Sequence, residues 1–198
     1  MLCGFCRRAM PHYSADLDTS QVAHEAGLDA IALRYQYVSP LDTVLKRYKY
    51  QGELMLAGPL AQLLPPPPLS VLSKHLNQRP PVLIPVPSSP ARIKKRGFDH
   101  LHLIAMRYAR RFNLEMAYAK RNLESASQAK LGRRDRKRNL TEVFEVDRLG
   151  KAVLLIDDVI TTGATLSALA ERCRENGANW VGAVVLARAP GPSDLITL

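Results

Sequence analysis

The sequence predicts an α/β fold in which a mostly parallel β-sheet carries helices on both faces. Aliphatic runs indicate strands near positions 31, 82, 115, 153 and 181, and apolar residues at helical spacing lie between most of these runs. At 198 residues the chain is long enough for one domain with a buried core, or for one domain and a small appendage. No apolar run approaches the roughly 18 residues of a membrane span.

The composition restricts the partners without choosing between them. A net charge of +10 favours polyanions, either nucleic acid or an anionic small substrate. Aromatic residues are few, and no alternation of basic and aromatic residues predicts a platform for stacking bases. With three cysteines and no apolar segment of the secretory type, a reduced cytoplasmic protein is expected.

The N-terminal segment 1–28 contains one C-x-x-C pair, Cys3 and Cys6. A structural zinc site usually needs four ligands, and the nearest candidates, His12 and His24, have spacings unlike those of a zinc finger. The pair is consistent with a zinc site or with two free thiols. The polar residues from position 11 onward show no clear period and predict a linker.

Residues 30–64 predict one strand and two helices. The strand covers 30–38, Pro40 opens the first helix and Gly52 ends it, and the second helix runs from about 53 to 64. The first helix has a basic face, expected to be solvated, formed by Lys46, Arg47 and Lys49. A run of four prolines then predicts a stiff spacer.

Residues 81–87 predict a buried strand ended by prolines, and the loop 88–97 that follows is strongly basic. Cations at the C-terminal end of a strand can neutralise a pyrophosphate. The candidate pyrophosphate ligands are Lys94, Lys95 and Arg96. The alternative is a solvated basic turn. A helix is expected from here to about Phe112.

A second basic segment lies further along the chain. Residues 114–118 predict a short strand, and six of the nine residues from Lys130 to Arg138 are basic. Such a run does not pack in a core, so we expect it to be exposed and mobile. It suits a lid over an anionic substrate or a contact with nucleic acid. Residues 143–146 predict a strand edge.

The stretch from Val153 to Thr165 carries the main prediction of a site. Four aliphatic residues predict a buried strand, Asp157 and Asp158 end it, and a turn rich in threonine and glycine leads into a helix. The N–H groups of a helix N-terminus attract phosphate, and the turn adds hydroxyl donors and a permissive backbone. The candidate phosphate ligands are Thr161, Thr162, Gly163, Ala164 and Thr165.

The two carboxylates cannot bind phosphate, because like charges repel. They suit ribose hydroxyls, or a Mg²⁺ that the ligand's phosphates already hold. The predicted ligand is therefore a sugar phosphate. The G-x-x-x-x-G-K-[ST] and G-x-G-x-x-G patterns of other nucleotide loops are absent. The simpler alternative is a buried strand with two solvated aspartates and a threonine cap.

The end of the chain completes the sheet. Asn176-Gly177 predicts the end of the helix, and residues 180–188 predict a last buried strand. The main domain is therefore placed at 29–190, between the N-terminal segment 1–28 and a loose tail at 191–198.

Three patterns together resemble a known family. The first is Pro-Val-Pro at 85–87 with Arg-Gly-Phe at 96–98, and the last is the acidic motif followed by Gly177-Ala178 and the final strand. The middle pattern is a set of spaced residues, Gln128, Leu131, Arg136, Asn139 and Phe144. From about Ala30 to Arg188 the chain resembles the ComF/GntX competence-protein family of the type I phosphoribosyltransferase superfamily.

Two departures from the family pattern stand out. The family usually continues Arg-Gly-Phe with Asn-Gln, whereas this chain has Asp99 and His100. The family also carries two N-terminal cysteine pairs that would bind zinc. Here only Cys3 and Cys6 remain, and they resemble the second pair.

The resemblance implies a type I phosphoribosyltransferase-like fold with a small N-terminal hood built by residues 30–64. It also implies phosphoribosyl pyrophosphate (PRPP) with Mg²⁺ as the ligand. In this family the acidic pair, here Asp157 and Asp158, meets the ribose, and the turn at 161–165 holds the 5′-phosphate. The loop from Arg92 to Arg96 would take the pyrophosphate. The segment 121–139 would close as a lid, with four residues singled out: Arg121, Gln128, Arg136 and Asn139.

Two functions follow from the resemblance, and the sequence leaves them open. In one, the protein is an enzyme that displaces pyrophosphate at the anomeric carbon of PRPP with an unidentified nucleophile. In the other, it is a catalytically silent scaffold in the DNA uptake of natural transformation. The scaffold would bind single-stranded DNA, a DNA-uptake helicase or a recombination mediator, in the cytoplasm or at the inner face of the membrane. An oligomer is compatible with both.

Overall fold

The computed structural model describes residues 7–13, 19–68, 80–121, 144–149 and 152–190. The strands in this part of the chain are β1 (Ala30–Gln36), β2 (Val82–Pro85), β3 (Ala119–Arg121), β4 (Phe144–Val146), β5 (Val153–Ile160) and β6 (Val181–Arg188). Four of them form a parallel sheet in the order β1-β6-β5-β2, and β3 and β4 form a separate antiparallel pair. The predicted mostly parallel sheet is confirmed.

The centre of the sheet is formed by its two longest strands, β5 and β6. Residues Val153–Ile156 of β5 are fully buried, and Val181–Arg188 of β6 is buried except at its last residue. A strand flanked on both faces by helices has no polar side, so an unbroken aliphatic run is what such a position requires. All parallel strands of the sheet end at the same edge, which brings the end of β5 beside the end of β2.

Six helices surround the sheet within the described residues. They are α1 (Thr19–Glu25), α2 (Leu41–Tyr50), α3 (Ala57–Leu63), α4 (Pro90–Arg96), α5 (His100–Phe112) and α6 (Ala164–Glu175), with a 3₁₀ turn at Leu54–Leu56. On one face, α1 and α6 pack in a core that contains Val22 and Leu169. On the other face, α2, α3 and α5 share a core that contains Leu45, Leu60 and Tyr108. The sheet therefore carries helices on both faces, as predicted.

Two buried tyrosines hold the second layer together. The hydroxyl of Tyr48 on α2 donates to the backbone oxygen of His100 over 2.7 Å, and the hydroxyl of Tyr108 on α5 donates to the oxygen of Pro65 over 2.9 Å. Of the segment predicted to form a hood, 30–64, β1 joins the central sheet, while α2 and α3 pack over it. The Tyr48 contact sets α2 directly beside the first turn of α5.

The prediction of a strand at 114–118 was wrong in its extent. Met116 forms one isolated parallel bridge with Leu83, and the regular strand begins only at β3. The ladder cannot lengthen along β2 because Pro85 and Pro87 at its end have no N–H to donate.

Two segments without a predicted helix contain one. The linker predicted at 11–28 includes α1, whose Val22 and Ala23 are buried against the sheet, and a seven-residue helix is too short to show a clear period. The loop predicted at 88–97 includes α4. Ser89 caps its N-terminus by accepting the N–H of Arg92, and Gly97, with a φ of 81°, ends it.

No helix in the described part of the chain is long and apolar enough to cross a membrane. The predicted division into 1–28, 29–190 and 191–198 stays a prediction, and the tail lies outside the described residues.

Candidate functional site

A cavity of about 320 Å³ opens at the edge of the sheet where β2 and β5 end. The C-terminal edge of parallel strands is where open α/β sheets bind ligands. Its lining combines four cations, two carboxylates, a histidine and the first residues of a threonine-rich turn. The charged and polar side chains are those of Lys49, Ser88, Arg92, Arg96, His100, Arg121, Asp157, Asp158, Thr161 and Thr165.

The prediction that the acidic pair ends its strand was wrong, because β5 continues to Ile160 in its pairing with β6. The two carboxyls lie just past Ile156, the last residue of β5 that pairs with β2, and they point to opposite faces of the sheet. Side chains alternate along a strand. The side chain of Asp157 therefore lies on the same face of the sheet as that of Leu155, and the side chain of Asp158 lies on the face of Ile156. Asp157 is partly exposed, whereas Asp158 is only 6% exposed. The N–H of Asp158 donates to Oδ1 of Asp157 over 2.8 Å. The two carboxylates therefore meet different surroundings although they are adjacent in sequence.

Asp158 is held as a charged group by two partners. Lys49 from α2 forms an ion pair with its Oδ2, and Nε2 of His100 lies 2.9 Å from the same oxygen. Burial by itself raises the pKa of the Asp158 carboxyl, but the charge of Lys49 and the hydrogen bond from His100 outweigh it and lower that pKa below its usual value. Asp158 therefore stays ionised throughout the neutral range.

Asp157 has the opposite character. Burial, and then the neighbouring carboxylate of Asp158, raise its pKa to about 7. It lines the main cavity and also the smaller one over the threonine-rich turn. Asp157 is thus the carboxyl placed to contact a ligand that spans the two.

The turn between β5 and α6, called here the phosphate loop (161–165), leaves its hydroxyls accessible. Thr161 and Thr162 are exposed and Thr165 is partly exposed, and the first residues of α6 line the same opening, where the N–H of Ala164 donates to Oγ1 of Thr162 over 3.4 Å. Gly163 has a φ of 74°, and a Cβ added there would lie 3.0 Å from Cβ of Ala26. Because positive φ and close packing coincide at this position, only glycine fits it without strain.

Four cationic side chains, called here the cationic wall, line the other side of the cavity: Lys49, Arg92, Arg96 and Arg121. Arg121, the last residue of β3, lies over the ring of Phe144 at 5.7 Å, and burial followed by the charge of Arg92 lowers its pKa. Of these four cations, only Lys49 has an ion pair with an acidic residue in the part of the chain that the structure describes, and an excess of positive charge on one wall favours a polyanionic ligand.

Because α4 is helical, its basic residues point in different directions and only some of them face the cavity. Residues four apart lie on one face of a helix, so Arg92 and Arg96 face the cavity together. Lys94 and Lys95 are exposed and do not line it. Of the three candidate pyrophosphate ligands, the structure brings only Arg96 to the acidic pair.

The remaining predicted residues divide into two groups. Of the predicted lid, Arg121 lines the cavity, whereas Gln128, Arg136 and Asn139 lie outside the described residues. Cys3 and Cys6 also lie outside them, so the zinc site stays a prediction. Among the described residues, no three His, Cys, Asp or Glu side chains are grouped to hold a metal ion.

Sequence reasoning gave no site role to Lys49 or His100, and it included Arg92 only as the first residue of the loop, 92–96, that was expected to take the pyrophosphate. Lys49 was expected on a solvated helix face, and only the packing of α2 against α5 turns it inward. Arg92 had a usable signal, since it lies four residues before Arg96. His100 carried one too, because it departs from the family pattern next to a predicted site.

The chain matches a family model and several known proteins over much of its length. Residues 102–195 match the family model described as phosphoribosyl transferase domain. The chain is 27% identical over 194 residues to competence protein F of Haemophilus influenzae, with 94% of this chain and 84% of that protein covered. It is 30% identical over 156 residues to the DNA utilization protein YhgH of Escherichia coli K12, with 77% and 69% covered. Competence protein ComFC of Bacillus subtilis is 28% identical over 188 residues, with 89% and 72% covered.

Proposed function

This chain belongs to the ComF family of type I phosphoribosyltransferase-like proteins, and on that premise we propose that its cavity binds PRPP as a Mg²⁺ complex. The observation that carries the proposal is the lining of the main cavity, which combines Thr161 and Thr165 of the phosphate loop, two carboxyls and four cations. PRPP offers a partner for each of these, namely its 5′-phosphate, its ribose hydroxyls and its pyrophosphate.

Each part of the ligand has a matching surface. The 5′-phosphate meets the N–H groups and hydroxyls of the phosphate loop, where the dipole of α6 adds to the attraction. The ribose hydroxyls donate to Asp157, the more accessible of the two carboxylates. The pyrophosphate faces the cationic wall, whose guanidinium groups bind phosphate oxygens through paired N–H donors.

The donor set fits a Mg²⁺ that arrives with its ligand. Mg²⁺ in nucleotide sites is commonly held by substrate phosphates, water and one or two carboxylates rather than by a protein cage. The described residues offer no such cage, but they place carboxylates beside the cationic wall. When bound, the ion would neutralise charge on the pyrophosphate.

The chemistry available to these residues is positioning and charge stabilisation. Departure of pyrophosphate from the anomeric carbon would leave positive charge on the ribose, which the ionised Asp158 and neighbouring Asp157 stabilise. Among the described side chains of the cavity, only these two carboxyls and His100 could accept a proton from the incoming nucleophile. Transfer to an acceptor, and not only binding, is measured by release of pyrophosphate.

The biological setting follows the relatives. One is named a DNA utilization protein and two are named competence proteins. We place this chain in the same setting, the uptake of DNA.

The test is calorimetric titration of the purified protein with PRPP in the presence and absence of Mg²⁺. We expect Mg²⁺-dependent binding that is lost in Asp157→Asn with Asp158→Asn. Asp157→Asn alone keeps the buried Lys49 pair and is the milder variant, and Asp42→Asn on α2 is a control for an exposed carboxylate. A folded wild type that does not bind PRPP, or a folded double variant with unchanged affinity, would overturn the proposal.

A further inference from the structure

His100 is a buried histidine at the start of α5, held between a carboxylate and a guanidinium. It is 6% exposed. Its Nε2 lies 2.9 Å from Oδ2 of Asp158, and its Nδ1 lies 2.8 Å from an Nη of Arg96. Both distances are those of good hydrogen bonds. The ring therefore connects Asp158 on β5 with the last turn of α4.

The chemistry of arginine fixes the protonation of this ring. A guanidinium has only donors, so Nδ1 of His100 must accept from Arg96 and carries no proton. The proton of the imidazole is then on Nε2, where it donates to the carboxylate of Asp158. The direction of both hydrogen bonds therefore follows from the lack of an acceptor on the guanidinium of Arg96.

The other groups near Nδ1 agree with that assignment. The hydroxyl of Ser88 lies 3.3 Å from Nδ1 but donates to Oδ1 of Asp99 over 3.4 Å, which leaves the single lone pair of Nδ1 to Arg96. Oδ1 of Asp99 is 3.8 Å from Nδ1, which is too long for a hydrogen bond. That oxygen instead accepts the N–H of Leu101 over 3.1 Å and caps α5.

Arg96 is confined from a second direction. Its guanidinium lies over the ring of Tyr50 at 5.2 Å from the ring centre, and Tyr50 follows Lys49 on α2. The guanidinium is therefore held between an aromatic face and a ring nitrogen on the wall of the cavity. A charged donor fixed in this way needs little reorganisation to bind an anion.

We propose that His100 is a positioning residue. Its hydrogen bond to Asp158 fixes the ring, and the ring in turn accepts a hydrogen bond from Arg96 and so orients the Arg96 guanidinium toward the pyrophosphate. The proposal rests on the function proposed above. It separates the adjacent carboxylates by task. Asp157 contacts the ligand, whereas Asp158, in addition to its own charge at the cavity, acts on Arg96 through His100.

Two substitutions separate positioning from a merely structural role. The side-chain amide of His100→Gln can donate to Asp158 and accept from Arg96, whereas His100→Leu has similar bulk and can do neither. Calorimetry with Mg²⁺ and PRPP should give an affinity within about threefold of wild type for His100→Gln and a loss of about tenfold for His100→Leu. Ribose 5-phosphate is the control ligand because it has no pyrophosphate. Its affinity should stay unchanged in both variants.

The contrary results are equally defined. If His100→Leu weakens both ligands equally, or if His100→Gln binds PRPP as poorly as His100→Leu, His100 has a structural role and the proposal fails. Unchanged PRPP affinity in a folded His100→Leu protein also overturns it.

A spectroscopic measurement on the wild type does not depend on the variants folding. Long-range ¹H–¹⁵N correlation spectra distinguish the two neutral imidazole tautomers, and the His100 signals are those missing in His100→Gln. We expect an Nε2–H tautomer with unprotonated Nδ1. An Nδ1–H tautomer together with intact PRPP binding overturns the role of His100 alone. If the wild type does not bind PRPP, the proposed function and the positioning role fail together.

Discussion

The phosphate loop and the cationic wall face each other across one cavity, but they are built in different ways. The loop is five consecutive residues whose shape depends on one glycine and on a helix N-terminus. The wall collects side chains from α2, α4 and β3, spread between positions 49 and 121. One side of the cavity is thus a local structure, and the other exists only once distant segments have packed.

This difference predicts where each side is vulnerable. A loop built by the backbone should be sensitive to changes in backbone conformation and insensitive to most side-chain changes. A wall built by packing should be sensitive to the loss of a buried partner, and its charges should differ in importance according to which way they face. Four predictions test this contrast, beginning with the largest expected effect.

The largest effect is expected at Lys49. Lys49→Met removes the main partner of buried Asp158 and should lower the free energy of unfolding by about 3 kcal/mol, because an unpaired charge is left in the interior. Lys46→Met, on the same helix, removes the exposed pair with Asp42 and should cost less than about 0.5 kcal/mol. Urea unfolding of the two variants measures the difference. Equal costs would show that the wall does not depend on the buried pair.

The second prediction concerns the loop. Gly163→Ala should cost about 2 kcal/mol in unfolding free energy, since the residue has a φ of 74° and the new Cβ would lie 3.0 Å from Cβ of Ala26. Gly97→Ala has a similar φ of 81°, but nothing lies within 4 Å of its new Cβ, so it should cost about half as much. Thermal unfolding compares them. If Gly97→Ala costs as much, close packing behind the loop is unimportant.

The third prediction sorts the charges of α4 and tests the assignment of pyrophosphate ligands made from the sequence. Arg96→Ala should weaken PRPP binding about tenfold, because it removes a charged donor that faces the cavity. Lys94→Ala with Lys95→Ala removes two exposed charges and should weaken binding about twofold, an effect that disappears in high salt. Titration at two ionic strengths separates the cases, and a larger loss in the lysine variant would reverse the assignment.

The smallest effect is the pH dependence contributed by Asp157. Its pKa is raised to about 7 in the folded protein, so its contribution to stability is complete below about pH 4 and is lost as the pH rises through about 7. Asp157→Asn does not titrate. Relative to wild type, the variant should therefore gain stability between pH 5 and pH 8, by about 1 kcal/mol given partial exposure.

Urea unfolding of both proteins at these two pH values measures the gain. Asp42→Asn is the control, because Lys46 lowers the pKa of exposed Asp42 and the difference between pH 5 and pH 8 should be close to zero. A stability difference between wild type and Asp157→Asn that does not change with pH would contradict the prediction.

The same contrast explains which features could be predicted from the sequence and which could not. The aliphatic runs of β5 and β6 and the turn after Asp158 are local signals, and the fold and the loop were predicted from them. The roles of Lys49 and His100 depend on the contact between α2 and α5. The hydroxyl of Tyr48 stabilises this contact, and no local sequence pattern predicts it. For α4, Ser89, Pro90 and Gly97 are the usual signals of a short helix, and they were outweighed by the basic composition of the segment.

The contact between α1 and the phosphate loop has a consequence for the freedom of the loop. Ala26, one residue beyond α1, lies directly behind Gly163, and Val22 and Ala26 share a cavity with the back of the loop. The backbone at Gly163 therefore cannot move toward Ala26 unless Ala26 moves as well. A displacement of the end of α1 would in turn change the space that the loop occupies.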